Sequence, residues 1–222
     1  MNLRNEIRAA VARGDDEAVA AWADRKKNLL SLLFGLTFDA DPHLAWQAVR
    51  ASGIAARRLA ETDPEKVRDH MRRLSWSLND ESGGIGWRAP ETMGEIVFQC
   101  PKACRNFLPL MVFLLNMEAQ DRERFLPGIL WALGRLGPVL PPAGREGARS
   151  QILPLLSDPD SQIRGLAVWA LAALGGETPP GIERLAADDA AVTIFEDGKL
   201  QQTTVGRLAG RMASCAAPGE SL

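Results

Sequence analysis

Residues Gln151–Gly175 read QILPLLSDPDSQIRGLAVWALAALG. Leu153, Leu155 and Leu156 belong to one helix. Ser157-Asp158-Pro159-Asp160 is turn-and-cap chemistry, in which a short side-chain oxygen is available to the orphan amides of the next helix. Ile163, Leu166, Ala167, Ala170, Leu171 and Leu174 then recur at helical spacing, and Gly175 ends the run. The stretch predicts a helix, a tight corner and a second helix.

The pattern recurs along the chain. FDADPHLAWQAVRASGIAARRLA sets Asp39-Ala40-Asp41-Pro42 before a helix carrying Ala48 and Gly53, NDESGGIGWRAPETMGEIV places Ala89 and Gly94, and QDRERFLPGILWALGRLG places Ala132 and Gly137. Taken as markers, Ala48, Ala89, Ala132 and Ala170 are separated by 41, 43 and 38 residues. That is the period of a two-helix repeat. Leu108-Pro109-Leu110 and Leu153-Pro154-Leu155 echo one another in the first helix of successive units, where a proline predicts a bend.

These residues resemble the HEAT-repeat family. Ile152–Gly175 is similar to its consensus: L-P-x-L, D-x-D, an Arg, then A-L-x-x-L-G. The resemblance covers about residues 28–175. The chain as a whole is similar to small prokaryotic HEAT-like proteins through NDESGGIGW followed by Ala89-Pro90-Glu91. The implied fold is all-α, a right-handed α-α superhelix of about four to five helical hairpins in one domain spanning 1–222. Such pairs cannot bury their apolar stripes alone, so neighbours stack, and the second helix of each pair lines a concave face.

The ends depart from the period. Asn2–Arg13 and Asp15–Asp24 read as short helices broken at Gly14, so that residues 1–27 cover the first pair. In AAVTIFEDGKLQQTTVGRLAGRMA, Val192 and Ile194 alternate with Thr193 and Phe195, and Asp197-Gly198 separates two β-prone runs. This predicts a β-hairpin near 191–204 and a helix from about Gly206, within a C-terminal cap over 176–213. A further, weakly patterned helix pair is the alternative. Residues 214–222 read as a loose tail.

Composition narrows the function classes. The chain has 222 residues, 46% hydrophobic and 24% charged, with a net charge of −2. That length suffices to bury about 70% of the unfolded surface. A near-neutral, slightly acidic chain with no basic stripe disfavours nucleic acid. The longest apolar run, Phe107–Leu115, is too short to span a bilayer. The amphipathic N-terminus has no signal-like apolar core. Three cysteines without framework spacing suit free thiols in a cytoplasmic protein. Cys100 and Cys104 read as buried thiols rather than a metal site, since structural zinc wants four ligands. His43 and His70 read as surface residues. No cofactor or metal is expected.

One corner is elaborated. Where other units turn with Asp-Ala-Asp-Pro or Asp-Pro-Asp-Ser, this one uses Asp80-Glu81-Ser82-Gly83-Gly84-Ile85-Gly86, then Trp87-Arg88. Asn79 or Asp80 as a cap, glycines at positive φ and Pro90 in a first helical turn give it a purely structural reading. A loop that contacts a ligand or partner is the other. Nothing supports a phosphate loop, because no Lys follows the glycines and no strand precedes them. No residue is assigned a catalytic role.

Trp46, Trp87, Trp131 and Trp169 stand one or two residues before the marker alanines. They read mainly as core and alternatively as the floor of a concave groove. Trp and Arg pairs are enriched at protein–protein hot spots. The leading expectation is therefore a protein-binding scaffold or adaptor that contacts another protein through Asp80, Glu81, Trp87, Arg88, Glu91, Trp131 and Arg135. The HEAT-like DNA glycosylases suggest an alternative enzyme with a site near Asp80, Trp87 and Arg88. Resemblance to HEAT-like phycobilin lyase subunits ranks lower, as no chromophore motif is present.

Overall fold

The corner at Asp158–Asp160 and the one at Asp39–Asp41 are built alike. In the computed structural model, which describes residues 3–78, 88–117 and 119–216 (without the side chains of 119–123 and 215–216), Asp158 Oδ1 accepts the amide of Asp160 at 2.9 Å and Asp160 Oδ1 that of Gln162 at 2.8 Å. Asp39 Oδ1 accepts the amide of Asp41 at 3.1 Å and Asp41 Oδ1 that of His43 at 3.0 Å. The first aspartate folds the turn and the second caps the next helix, satisfying an amide that the helix leaves orphaned. The corresponding Asn79–Trp87 corner lies outside the described residues.

The chain begins with α1 (Leu3–Arg13) and α2 (Asp16–Ala23), separated by Gly14 at φ 66°. Then come α3 (Leu29–Leu36), α4 (Pro42–Ala60), α5 (Pro64–Ser77) and α6 (Ala89–Gln99). The next outer segment is broken into α7 (Pro101–Cys104), a 3-10 turn, α8 (Leu108–Phe113) and a second 3-10 turn before α9 (Ala119–Leu136). After α10 (Pro142–Ile152) a 3-10 turn, Leu153–Ser157, leads into α11 (Ser161–Leu174). Pro109 and Pro154 each stand second in the segment after a break, which is the interruption their rings impose.

α4, α6, α9 and α11 lie side by side in one layer, and α3, α5, α7–α8 and α10 cover its other side. The inner helices approach closely through small residues. A Cβ on Gly94 would stand 2.6 Å from Ala132 Cβ, and one on Gly134 3.1 Å from Ala170 Cα. All four marker alanines are fully buried. The markers are nevertheless not in strict register: the α6 residue that meets Ala132 is Gly94, five positions beyond Ala89. One continuous apolar core runs from Ile7 to Met212. Among the described residues no helix is long and apolar enough to cross a membrane.

α1 and α2 pack on α4 as a cover. At the other end, α12 (Ile182–Leu185) precedes β1 (Ala191–Glu196) and β2 (Lys199–Thr204), which pair antiparallel from Ala191↔Thr204 to Glu196↔Lys199. Asp197 and Gly198 have φ of 51° and 74°, the two positive values that a tight two-residue hairpin turn requires. α13 (Val205–Ala216) follows and packs on α11, α12 and β2. Residues 214–216, expected in a loose tail, continue this helix, and 217–222 lie outside the described residues.

His70 also differs from expectation. It is buried, with its ring edge-on to Phe34, because the face of α5 that carries it also carries Val67, Met71 and Leu74. His43 is exposed. Cys100 and Cys104 are both buried, with their sulfurs 3.9 Å apart.

Candidate functional site

The hairpin lies across the inner layer rather than only over the last unit. At the α11 end, Gln162 Nε2 donates to the Thr193 carbonyl at 2.7 Å, and its Oε1 accepts the Thr193 amide at 2.8 Å. On α9, Trp131 Nε1 donates to the Phe195 carbonyl at 2.8 Å. At the α4 end, Gln47 Nε2 donates to the Gly198 carbonyl at 2.8 Å. Trp169 Nε1 donates to Glu196 Oε1 at 2.8 Å. Side chains from three inner helices thus satisfy the hairpin's backbone, which an isolated two-stranded ribbon would leave to water.

Aromatic rings fill the space beneath. Phe195 stacks on Trp46 with centroids 5.2 Å apart and planes 9° apart, and Trp46 meets Trp131 edge-on at 4.8 Å. Trp131 stacks on Trp169 at 6.3 Å. The indoles of α4 and α9 therefore touch above α6, the helix between them. Trp46, Trp131 and Trp169 are core in this sense: they form the surface on which the hairpin sits. Trp87 lies outside the described residues.

Beside this cluster is a recess of about 220 Å³, lined among others by Trp46, Arg88, Glu91, Trp131, Thr193 and Leu200. Glu91 is the acidic residue of the first turn of α6, after Pro90, whose missing amide is no loss there. A carboxylate suits the start of a helix, but this one does not reach solvent: Glu91 is 5% exposed. Arg88 Nη1 donates to its Oε1 at 3.2 Å. Among the described residues its Oε2 is buried with no hydrogen-bond partner. Burial pushes the Glu91 pKa up, against the smaller opposing pull of the Arg88 guanidinium.

α9 makes the room. A Cβ on Gly128 would stand 2.5 Å from both Cδ and Oε2 of Glu91. Gly128 follows Pro127 in the interior of α9, and both residues weaken a helix. Their presence there has a packing reason: the glycine clears the space that the carboxylate fills. Arg88 closes one wall, its Cζ 4.5 Å from the centroid of the Trp46 ring.

Of the residues expected to contact a partner, Arg88, Glu91 and Trp131 come together at this recess. Trp131 is 3% exposed, so in this conformation its indole serves the hairpin and offers almost no surface to a partner. Arg135 is placed elsewhere. Its Nε donates to Glu95 Oε2 at 2.6 Å, its Nη2 to Glu95 Oε1 at 3.2 Å, and its Cζ lies 3.7 Å from the Phe98 centroid. That arrangement clamps α9 to α6. Asp80, Glu81 and Trp87 lie outside the described residues.

Pro42, Gly128, Gln162, Thr193 and Leu200 were not among the residues that the sequence placed at a site. The Pro127-Gly128 pair inside a helical run was a usable signal, since an interior glycine often marks close packing. The hairpin residues carried none, because the pairing of Gln47 with Gly198 joins positions 151 residues apart.

Two other hollows are larger. A groove of about 840 Å³ lies between α7–α8 and α10, and one of about 560 Å³ between α11 and α13. Among the described residues neither is lined by a buried polar atom that lacks a partner. Among the described residues no group of three or more His, Cys, Asp or Glu is placed to hold a metal. Compared with known proteins, the chain matches no family model and no curated protein sequence.

Proposed function

We propose that this protein is a HEAT-like binding module, a right-handed α-α superhelix acting as a scaffold or adaptor for another protein. On this reading the receiving element is the recess at Glu91, not an open groove along the whole concave face. The observation that carries it is the buried carboxylate of Glu91 in the lining of that recess, its Oε2 without a hydrogen-bond partner among the described residues. An ionised carboxyl stripped of water is unfavourable by several kcal/mol unless its oxygens are satisfied. A fold that builds such a group into a lined cavity, with a glycine opposite to make room, holds a site in readiness for a hydrogen-bond donor.

The hairpin supports the same reading. It covers the aromatic part of the inner face and leaves the recess beside it. The volume suits the end of one side chain rather than a nucleotide, and the chain's net charge of −2 gives a phosphate backbone no basic excess to bind. Both points weigh against the nucleic-acid-directed alternative.

The test compares proteins retained by immobilised wild type with those retained by Arg88→Ala and by Glu91→Gln. A partner held by the wild type and lost by both variants, with all three folded, is the expected result. An identical set of partners for all three would overturn the reading.

A further inference from the structure

We propose that the outer-layer groove between α7–α8 and α10 binds a fatty carboxylate, an unbranched apolar chain with one anionic end. The groove is separate from the Glu91 recess, and the proposal does not depend on it.

Most of the groove is apolar. Its volume of about 840 Å³ lies within the range of sites that take small molecules. Leu108 and Val112 of α8 line one side, and Val139 and Leu140, between α9 and α10, line the other. Leu108 and Leu140 are otherwise buried in the core. Pro101, Pro109 and Pro141 also line it. A proline has no amide to solvate and a fixed φ, so these walls are apolar and stiff before a ligand arrives. Such a surface gains by exchanging water for methylene groups.

The charge comes from one end of the outer segment. Lys102 and Arg105 are the charged residues of the lining, and among the described residues it holds no acid. Both are exposed. Arg68 and Arg72 of α5 are paired with Glu65, whereas among the described residues the side chains of Lys102 and Arg105 have no hydrogen-bond or ion-pair partner. They belong to α7 and the 3-10 turn behind it, while α8 and α10 bring no charge to the groove. Two cations at one end of an apolar surface match a ligand with a single anionic head and a long tail. A carboxylate suits the head, because a guanidinium can hold both its oxygens. An acidic helix of a partner protein spaces its carboxylates along its length and would set most of them against apolar wall. Inorganic phosphate would leave the apolar surface unused.

The probes are hexanoate, octanoate and decanoate, titrated below their micellar concentrations into the full chain by calorimetry, with 1-octanol as the uncharged counterpart. Saturable binding is expected, tightening by roughly two- to fourfold for each added methylene. 1-Octanol should bind more weakly than octanoate by about three- to tenfold, and sodium chloride should erode that difference by screening exposed charges. The double variant Lys102→Gln, Arg105→Gln changes exposed side chains, and should lower octanoate to the level of 1-octanol while leaving 1-octanol unchanged. Ala143→Trp, at an exposed position of α10 in the lining, should abolish binding of both with the far-ultraviolet circular dichroism unchanged. No saturable binding to the folded wild type, no dependence on chain length, 1-octanol equal to octanoate, or full binding in Ala143→Trp would each overturn the proposal.

Two further measurements separate other occupants. Flotation with vesicles of phosphatidylcholine and phosphatidylglycerol, lost in the double variant while octanoate fails to bind, would assign the groove to a membrane surface. A wild-type dimer in sedimentation that Ala143→Trp converts to a monomer would assign it to a second copy of this chain. Either result overturns the carboxylate reading.

Discussion

The indole Nε1 of Trp131 donates to the carbonyl oxygen of Phe195 at 2.8 Å, joining an inner helix to a strand 64 residues further along the chain. Through this contact, and those of Gln47, Gln162 and Trp169, the C-terminal hairpin becomes part of the inner face. A layer of helices with an apolar side exposes it to water unless something covers it. Here the covering element runs from α11 to α4 and leaves the Glu91 recess at its edge.

Removing the donor while keeping an aromatic ring isolates that bond. Trp131→Phe leaves the Phe195 carbonyl short of its partner, and the expected loss is about 1–3 kcal/mol in urea unfolding. Amide exchange in β1 and β2 should rise more than in α5, on the far side of the inner layer. A uniform rise throughout the chain would show that the hairpin is not a separately held element.

The close approach of α6 and α9 predicts sensitivity at Gly94. An added methyl group would stand 2.6 Å from Ala132 Cβ, too near for either helix to ignore. Gly94→Ala should destabilise by about 1–3 kcal/mol despite its better helix propensity. An increase in stability, the usual result at an exposed helical glycine, would contradict the packing.

His70 makes stability depend on pH. Burial among apolar neighbours, helped by the Arg73 charge, holds its pKa down at about 4, against 6.5 for the free side chain. Lys27, Lys66 and Asp69 line the same cleft. Between these two pKa values the unfolded chain binds more protons than the folded one. Stability is therefore full above about pH 6.5 and is lost as pH falls towards about 4, by roughly 3 kcal/mol. His70→Gln should remove that component, read as the difference between wild type and variant in denaturation midpoints near neutral and near pH 4. Parallel pH profiles would contradict it.

Glu91 tests whether the recess is held at the expense of stability. Its burial disfavours the ionised form, so a neutral replacement removes a desolvation penalty along with the Arg88 pairing. Glu91→Gln should unfold within about 1 kcal/mol of the wild type, or later. A loss of several kcal/mol would mark the carboxylate as a structural ion-pair member and remove its interpretation as a waiting site.

The helical units were legible because local chemistry repeats. Two aspartates at a corner, an apolar stripe and a terminal glycine state a helix pair within one short segment, and Asp-Gly between β-prone runs states a hairpin. The position of that hairpin was not legible. Val192 and Ile194 show that one face is buried, but nothing near them shows that Phe195, on the opposite face, will stack on Trp46. The expected contact set divides for the same reason. Arg88 and Glu91 are one turn apart and met as neighbours on a helix would. Trp131 and Arg135, also one turn apart, went to different partners, because Glu95 lies opposite one and Phe195 opposite the other. His70 was misread from its charged sequence neighbours, although Val67, Met71 and Leu74 put it on the buried face.

The most direct test of the account is a nuclear Overhauser measurement between the ring protons of Trp46 and Phe195. These rings belong to the first inner helix and the C-terminal strand, and their centroids are 5.2 Å apart. A clear cross-peak between them is expected in the free protein, with a second from Trp131 to Phe195. Cross-peaks from Phe195 only to residues of α11 and α13, and none to Trp46, would mean that the hairpin caps the last unit alone, and the account of the inner face would fail.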